Sequence, residues 1–203
     1  MWRPWFLRSL AEGGLRGYTS KPFKRFFAGV AASLYREAGV PLLTDDELLA
    51  AAAAGMGCEA VRRCSEAADR AVVAWCRGRP RVGVVVLSWR RMKGLKRIDV
   101  DLLGDGSYMV VVDGVGASRI IVGSEGAVEE NPLDEVEEEA LATLWDAYES
   151  YGPIRMIDAC RILEAGMGVD RAEARRILSS LVAKKLMRRH PGGYLSPRLR
   201  PPR

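Results

Sequence analysis

The apolar residues of this 203-residue chain change their spacing at Arg81, and that change limits the available folds more than any other feature. Before Arg81 they recur at helical intervals, and after it they alternate. Val82–Trp89, Leu95–Leu103, Tyr108–Val112 and Arg119–Val122 read as four β-strands. Turns at Met92-Lys93-Gly94, Gly104-Asp105-Gly106 and Asp113-Gly114-Val115-Gly116 join them. Connections this short join antiparallel neighbours, so the pattern predicts a meander. In the second strand Ile98, Val100 and Leu102 share one face, and Arg97, Asp99 and Asp101 share the other. One face is therefore expected to meet helices and the other solvent or ligand.

Three helices are expected upstream. Phe23, Phe26, Phe27, Val30 and Leu34 carry helical spacing over Lys21–Arg36, which Gly39-Val40-Pro41 ends. Thr44 with Glu47 reads as a capping box opening a second helix, Asp45–Ala54. Val61, Cys64, Ala68, Val72 and Trp75 predict a third, Cys58–Cys76, stopped by Gly78 and Pro80.

Helical patterning returns after the acidic stretch Gly123–Pro132. Asp134–Tyr151 is rich in carboxylates, Pro153 opens a helix to Leu163, and Gly166-Met167-Gly168 breaks it. Asp170 with Glu173 caps a third helix reaching about Leu186, with Ala174, Ile177, Leu178 and Leu181 inside and Arg171, Arg175, Arg176 and Lys184 outside. Met187–His190, Pro191–Gly193 and Tyr194–Ser196 read as strand, turn and strand. Residues 134–196 thus resemble a winged helix-turn-helix, with an acidic first helix and a basic third helix and wing. The fold class expected is α+β: three helices on a four-stranded antiparallel meander, followed by a C-terminal winged-helix domain. The boundaries are a flexible tail 1–20, an α+β nucleic-acid-binding domain 21–123, a linker 124–132, the winged helix 133–197 and a basic tail 198–203.

Charge is segregated more than it is large. The net charge is +5 and the pI about 9.2. Arg81, Arg90, Arg91, Lys93, Lys96 and Arg97 form one acid-free block, and Arg171–Arg203 forms a second interrupted only by Glu173. No base lies between Arg119 and Arg155. Such blocks suit polyanions. Glutamine is absent and Asn131 is the sole asparagine, an amide depletion expected of a hyperthermophile, archaeal by inference. Cys58, Cys64, Cys76 and Cys160 have no zinc-ribbon spacing and read as small buried hydrophobes, with a Cys64–Cys76 or similar disulfide left open. Trp2, Arg3, Trp5, Phe6, Arg8 and Arg16 give residues 1–20 a superficial transit-peptide character, which the thermophile composition opposes. No apolar run suffices to span a membrane, and a cytoplasmic protein is expected.

Catalytic patterns are weak. His190 has no partner in view, and Gly104-Asp105-Gly106 lacks the lysine, hydroxyl and helix of a phosphate loop. Asp99, Asp101 and Asp113 raise a Mg²⁺-nuclease reading, but Asp113-Gly114-Val115 lacks the lysine that pattern wants. The chain is expected to be non-enzymatic, with no cofactor and no bound metal.

Binding chemistry is better represented. Trp89-Arg90-Arg91-Met92-Lys93-Gly94-Leu95-Lys96-Arg97 places one indole and five cations at one turn, with Tyr108 nearby to extend a stacking platform. Cations neutralise phosphates and aromatic faces take unpaired bases. Lys24 and Arg25 add to this surface. Arg171, Arg175 and Arg176 would meet a major groove, and Arg188, Arg189 and His190 the backbone phosphates or the minor groove. Basic helices, a meander with an aromatic-basic hairpin and a separate C-terminal module together resemble the ThermoDBP family of archaeal single-stranded DNA-binding proteins. Lys24–Phe27, Trp89–Arg97 and Tyr108 carry that resemblance, over Lys21–Val122. It implies single-strand binding by the N-terminal domain, with the C-terminal elements making a homodimer or higher oligomer. The expected partner is nucleic acid, single-stranded DNA or RNA before duplex. The competing expectation is a winged-helix transcription regulator reading duplex DNA.

Overall fold

A computed structural model describes residues 4–113 and 115–200. The chain divides into two compact units, residues 4–112 with 118–130, and residues 131–200 with 113 and 115–117. Both contain helices and strands.

The first unit runs α1 (Phe6–Glu12), β1 (Gly17–Tyr18), α2 (Lys24–Ala38), β2 (Leu42–Leu43), α3 (Glu47–Gly55), β3 (Val61–Arg62), β4 (Ala67–Val73), β5 (Arg81–Ser88) and β6 (Lys96–Arg97). It continues as β7 (Asp99–Leu102), β8 (Tyr108–Val112), β9 (Gly116–Gly123) and β10 (Gly126–Glu130). Its strands form two sheets. The larger has the order β3-β2-β4-β5-β1-β6, and every one of its pairings is parallel. The smaller has the order β10-β9-β8-β7.

The expected meander is displaced by one strand. Val82–Trp89 is extended as predicted, but β5 lies in the parallel sheet between β4 and β1. Residues 89–95 do not turn a hairpin. They cross β1, so that Gly17 pairs with Leu87 on one side and Lys96 on the other. The predicted second strand breaks at Ile98, whose N–H donates to the Tyr18 carbonyl at 2.8 Å and whose side chain is buried. On one side of that break the chain joins the parallel sheet, and on the other the four-stranded one. The fourth strand of the smaller sheet is β10, inside the expected linker 124–132. It pairs antiparallel with β9, Gly126 opposite Gly123.

Three further expectations fail. Cys58–Cys76 is not a helix. A turn in which the Glu66 carboxylate accepts the Arg63 N–H at 2.9 Å separates β3 from β4, and β-branched Val61, Val72 and Val73 suit strands. Cys64 and Cys76 form a disulfide across the carboxyl ends of these strands. Nor are residues 4–20 a flexible tail: α1 buries Phe6, Leu7 and Leu10, and β1 completes the sheet. The α1 N-terminus is held by Glu129 of β10, whose carboxylate accepts the N–H groups of Trp5 and Phe6 at 2.6 Å and Leu7 at 2.8 Å. Trp2 and Arg3 lie outside the described residues. The α3 cap is Asp46 rather than Thr44, with its carboxylate accepting the Leu49 N–H at 2.8 Å.

The core lies between α2 and the sheets, with Phe26, Phe27, Val30 and Leu34 packed among Leu42, Leu87, Val110 and Ile120. Gly29 lets α2 approach β9, because a Cβ there would stand 2.6 Å from a Val122 methyl.

The second unit runs α4 (Glu135–Tyr151), β11 (Ile154–Arg155), α5 (Met156–Met167), α6 (Arg171–Ala183), β12 (Met187–His190) and β13 (Tyr194–Pro197), its strands ordered β11-β13-β12. Asp134 and Glu137 form a reciprocal capping box on α4. Helix α5 begins three residues after Pro153, because Ile154 and Arg155 pair with Leu195 and Tyr194 instead. It also continues through Gly166, where the absent side chain makes room for Thr143. Gly168 ends it in the left-handed region at φ 69°. The expected basic tail is anchored as far as residue 200: Leu199 is buried and the Arg198 N–H donates to the Leu186 carbonyl at 2.9 Å.

Candidate nucleic-acid interface

Because the strands of the larger sheet run parallel, their carboxyl ends open at one edge, the position where open parallel sheets accept ligands. Asp45 and Asp46 follow β2, Trp75 follows β4, and Trp89 and Arg90 follow β5. A cleft of about 300 Å³ lies among these five residues with Cys76 and Arg77, and a second of about 580 Å³ shares Asp45, Asp46 and Arg77 with it and extends to Arg62 and Arg63.

Trp75 and Trp89 are stacked. Trp75 meets Phe27 edge-on at 5.4 Å, and the Lys24 ammonium lies 5.8 Å from its ring centre. The Arg90 guanidinium lies 4.3 Å from the Trp89 centre. The result is a column of Phe27, Trp75, Trp89 and Arg90 from core to surface. A guanidinium over an indole presents a flat cationic surface on which a planar aromatic group can stack.

Polar groups brace the column. Asp45 accepts the Arg77 N–H at 2.8 Å and the Cys64 N–H at 3.3 Å, tying together the two segments that the disulfide joins. Lys24 bonds Asp46 at 2.7 Å, which, with smaller help from backbone N–H donors at the α3 cap, holds that carboxyl below the usual range.

The expected site residues divide. Trp89 and Arg90 belong to the column, and Lys24 borders it. Arg91, Lys93 and Lys96 are exposed along the crossing segment and, with Arg90, form no ion pair among the described residues. Arg97 is paired to Asp99 at 2.9 Å. Arg25 donates to the Val122 carbonyl at 2.8 Å, a structural tie. Tyr108 is no platform: it is 5% exposed and packs on Phe23 and Phe26 at about 5.5 and 5.4 Å, and burial raises its phenol pKa. Trp75, Asp45 and the arginines at 62, 63 and 77 are not among the expected site residues; reading 58–76 as a helix hides the strand end that Trp75 follows, and reading Asp45 as a helix start hides its place at the end of β2.

In the second unit Arg171, Arg175, Arg188 and Arg189 are exposed, and Arg176 is clamped by Glu173 at 2.6 and 2.9 Å. His190 Nε2 lies 2.7 Å from the Ser196 hydroxyl. Asp99 and Asp101 each face a cation, Arg97 and Lys21. Among the described residues no cluster of three or more His, Cys, Asp or Glu is arranged to hold a metal, and no helix is long and apolar enough to cross a membrane. No protein-family model, curated protein or solved structure matches the chain.

Proposed function

We propose that this protein is a non-enzymatic binder of single-stranded nucleic acid, with its main contact at the carboxyl end of the parallel sheet. The observation that carries the reading is the Trp75–Trp89–Arg90 column and the following Arg91, Lys93 and Lys96, cations without carboxylate partners among the described residues. Stacking is available to any unpaired base and to no base inside a duplex, whereas free cations serve phosphates of either form. The likeness to ThermoDBP proteins supports this through the residues Trp89–Arg97 alone, since the antiparallel sheet expected to carry them does not.

Fluorescence anisotropy with labelled single strands and duplexes of equal length, over a salt series, tests the proposal on the full chain. Tight single-strand binding, reduced in Trp89→Ala and in Arg91→Glu/Lys93→Glu, is the expected result. Equal affinity for both forms, or no response to these substitutions, rejects it.

A second reading is favoured by one observation, the order α4, β11, α5, α6 and a β12–β13 hairpin, which fits a winged helix. On that reading Arg171 and Arg175 read duplex DNA and the protein is a transcription regulator. Sequence-selective duplex binding lost in Arg175→Ala would support it.

A further inference from the structure

Arg171, Arg175 and Val182 of α6, with the buried Leu178 between them, line a groove of about 860 Å³ in the C-terminal unit. One wall is the first turn of α5, with Met156 and Ile157. The other carries Lys185 and Arg189. The span from Arg171 to Ala183 is about 18 Å long at 1.5 Å per residue. The groove's four cations, Arg171, Arg175, Lys185 and Arg189, form no ion pair among the described residues, and no acid lines it. Met156 and Ile157 are 45% and 49% exposed. Lys185, at the rim, holds a left-handed backbone at φ 61°, a conformation that costs a non-glycine residue free energy.

A phosphate backbone would neutralise these cations and leave Met156 and Ile157 in water. An occupant that satisfies both carries acids and an apolar side chain along one helix face. The same unit offers such a face. Helix α4 contains Glu135, Glu137, Glu138, Glu139, Asp146 and Glu149 and no base. Glu137 is turned inward, but Glu135, Glu139 and Asp146 are exposed and form no ion pair among the described residues. They share one side of the helix, with Val136, 42% exposed, on the adjoining side of its first turn, and the strip from Glu135 to Asp146 is about 17 Å long.

We propose that the groove receives α4 of a second copy of this chain, with Val136 on Met156 and Ile157 and the carboxylates against Arg171, Arg175, Lys185 and Arg189. Groove and helix belong to one unit, and the arrangement proposed is the one in which each copy's helix enters the other's groove about a twofold axis. The contact is independent of strand binding and fails separately from it.

Light scattering after size exclusion, with sedimentation to obtain the dimer Kd, tests the full chain. The expected wild type is a dimer that weakens with salt. Arg171→Glu/Arg175→Glu and Glu135→Lys/Glu139→Lys each place like charges together and should weaken it at least about 100-fold. Mixing the two variants should restore the dimer, because both contacts are then complementary again. A wild type that is monomeric at all concentrations, or variants that keep the dimer, would overturn the proposal, as would folded variants whose mixture stays monomeric. If either double variant fails to fold, Ile157→Glu and Val136→Glu give the same decision. Binding of duplex DNA in the groove by a monomer would also count against it.

Discussion

The Trp75 and Trp89 rings lie parallel within 1°, their centroids 5.1 Å apart, although the residues follow different strands. Trp75 reaches this position with a left-handed backbone, φ 52°, beside the Cys64–Cys76 bridge. Two distant segments are thereby brought to one aromatic surface.

Replacing Trp89 by alanine should lower single-strand affinity by roughly 5- to 150-fold, the range for one stacked base. Trp89→Phe should retain most of the binding. Trp75→Ala should weaken binding similarly and also destabilise the fold by about 2–3 kcal/mol, less than for a fully buried tryptophan. Anisotropy titration and thermal melting separate the two effects.

Reduction of the disulfide, or Cys64→Ser/Cys76→Ser, should cost about 2–3 kcal/mol, because a short loop closed by a bridge loses that constraint. Urea unfolding with and without reductant measures it. A change in tryptophan fluorescence before global unfolding is expected, since Trp75 adjoins Cys76.

Glu137 is 5% exposed and receives Lys184 at 2.5 Å, with the Ser180 hydroxyl on its other oxygen. Glu137→Ala strands a half-buried ammonium and should destabilise the C-terminal unit by about 2–4 kcal/mol. Glu137→Ala/Lys184→Met should recover part of this, read by urea unfolding.

Asp105 accepts the hydroxyl and N–H of Ser107 and a guanidinium bond from Arg119, and these hold its carboxyl at about 2. A lowered folded-state pKa contributes stability above the ordinary value of 3.8, lost as pH falls from there to about 2. Asp105→Asn should flatten the acid limb of the stability curve in that window. Carboxyl NMR titration gives the pKa directly.

In the C-terminal unit some local signals suffice, although Pro153 and Gly166 do not bound α5 as expected. Asp170 caps α6 as its position before Glu173 implies, and Ala174, Ile177, Leu178 and Leu181 are buried as their spacing implies. Errors arose where a distant partner decides. Residues 89–95 resemble a turn until Gly17 is placed between Leu87 and Lys96. The segment 58–76 has apolar residues that fit a helix as well as two strands, and pairing with β2 and β5 selects strands. The half of the site around Trp89 was therefore legible and the half around Trp75 was not.

Strand β1 is two residues long and sits between β5 and β6, whose partner residues lie 70 and more positions downstream. During synthesis Gly17 and Tyr18 must wait for that later sequence, so this half of the sheet cannot close until the crossing segment with its cations has emerged. A chain trimmed to begin at residue 20 would leave β5 and β6 with unpaired edges, inviting strand exchange between molecules rather than a smaller folded unit.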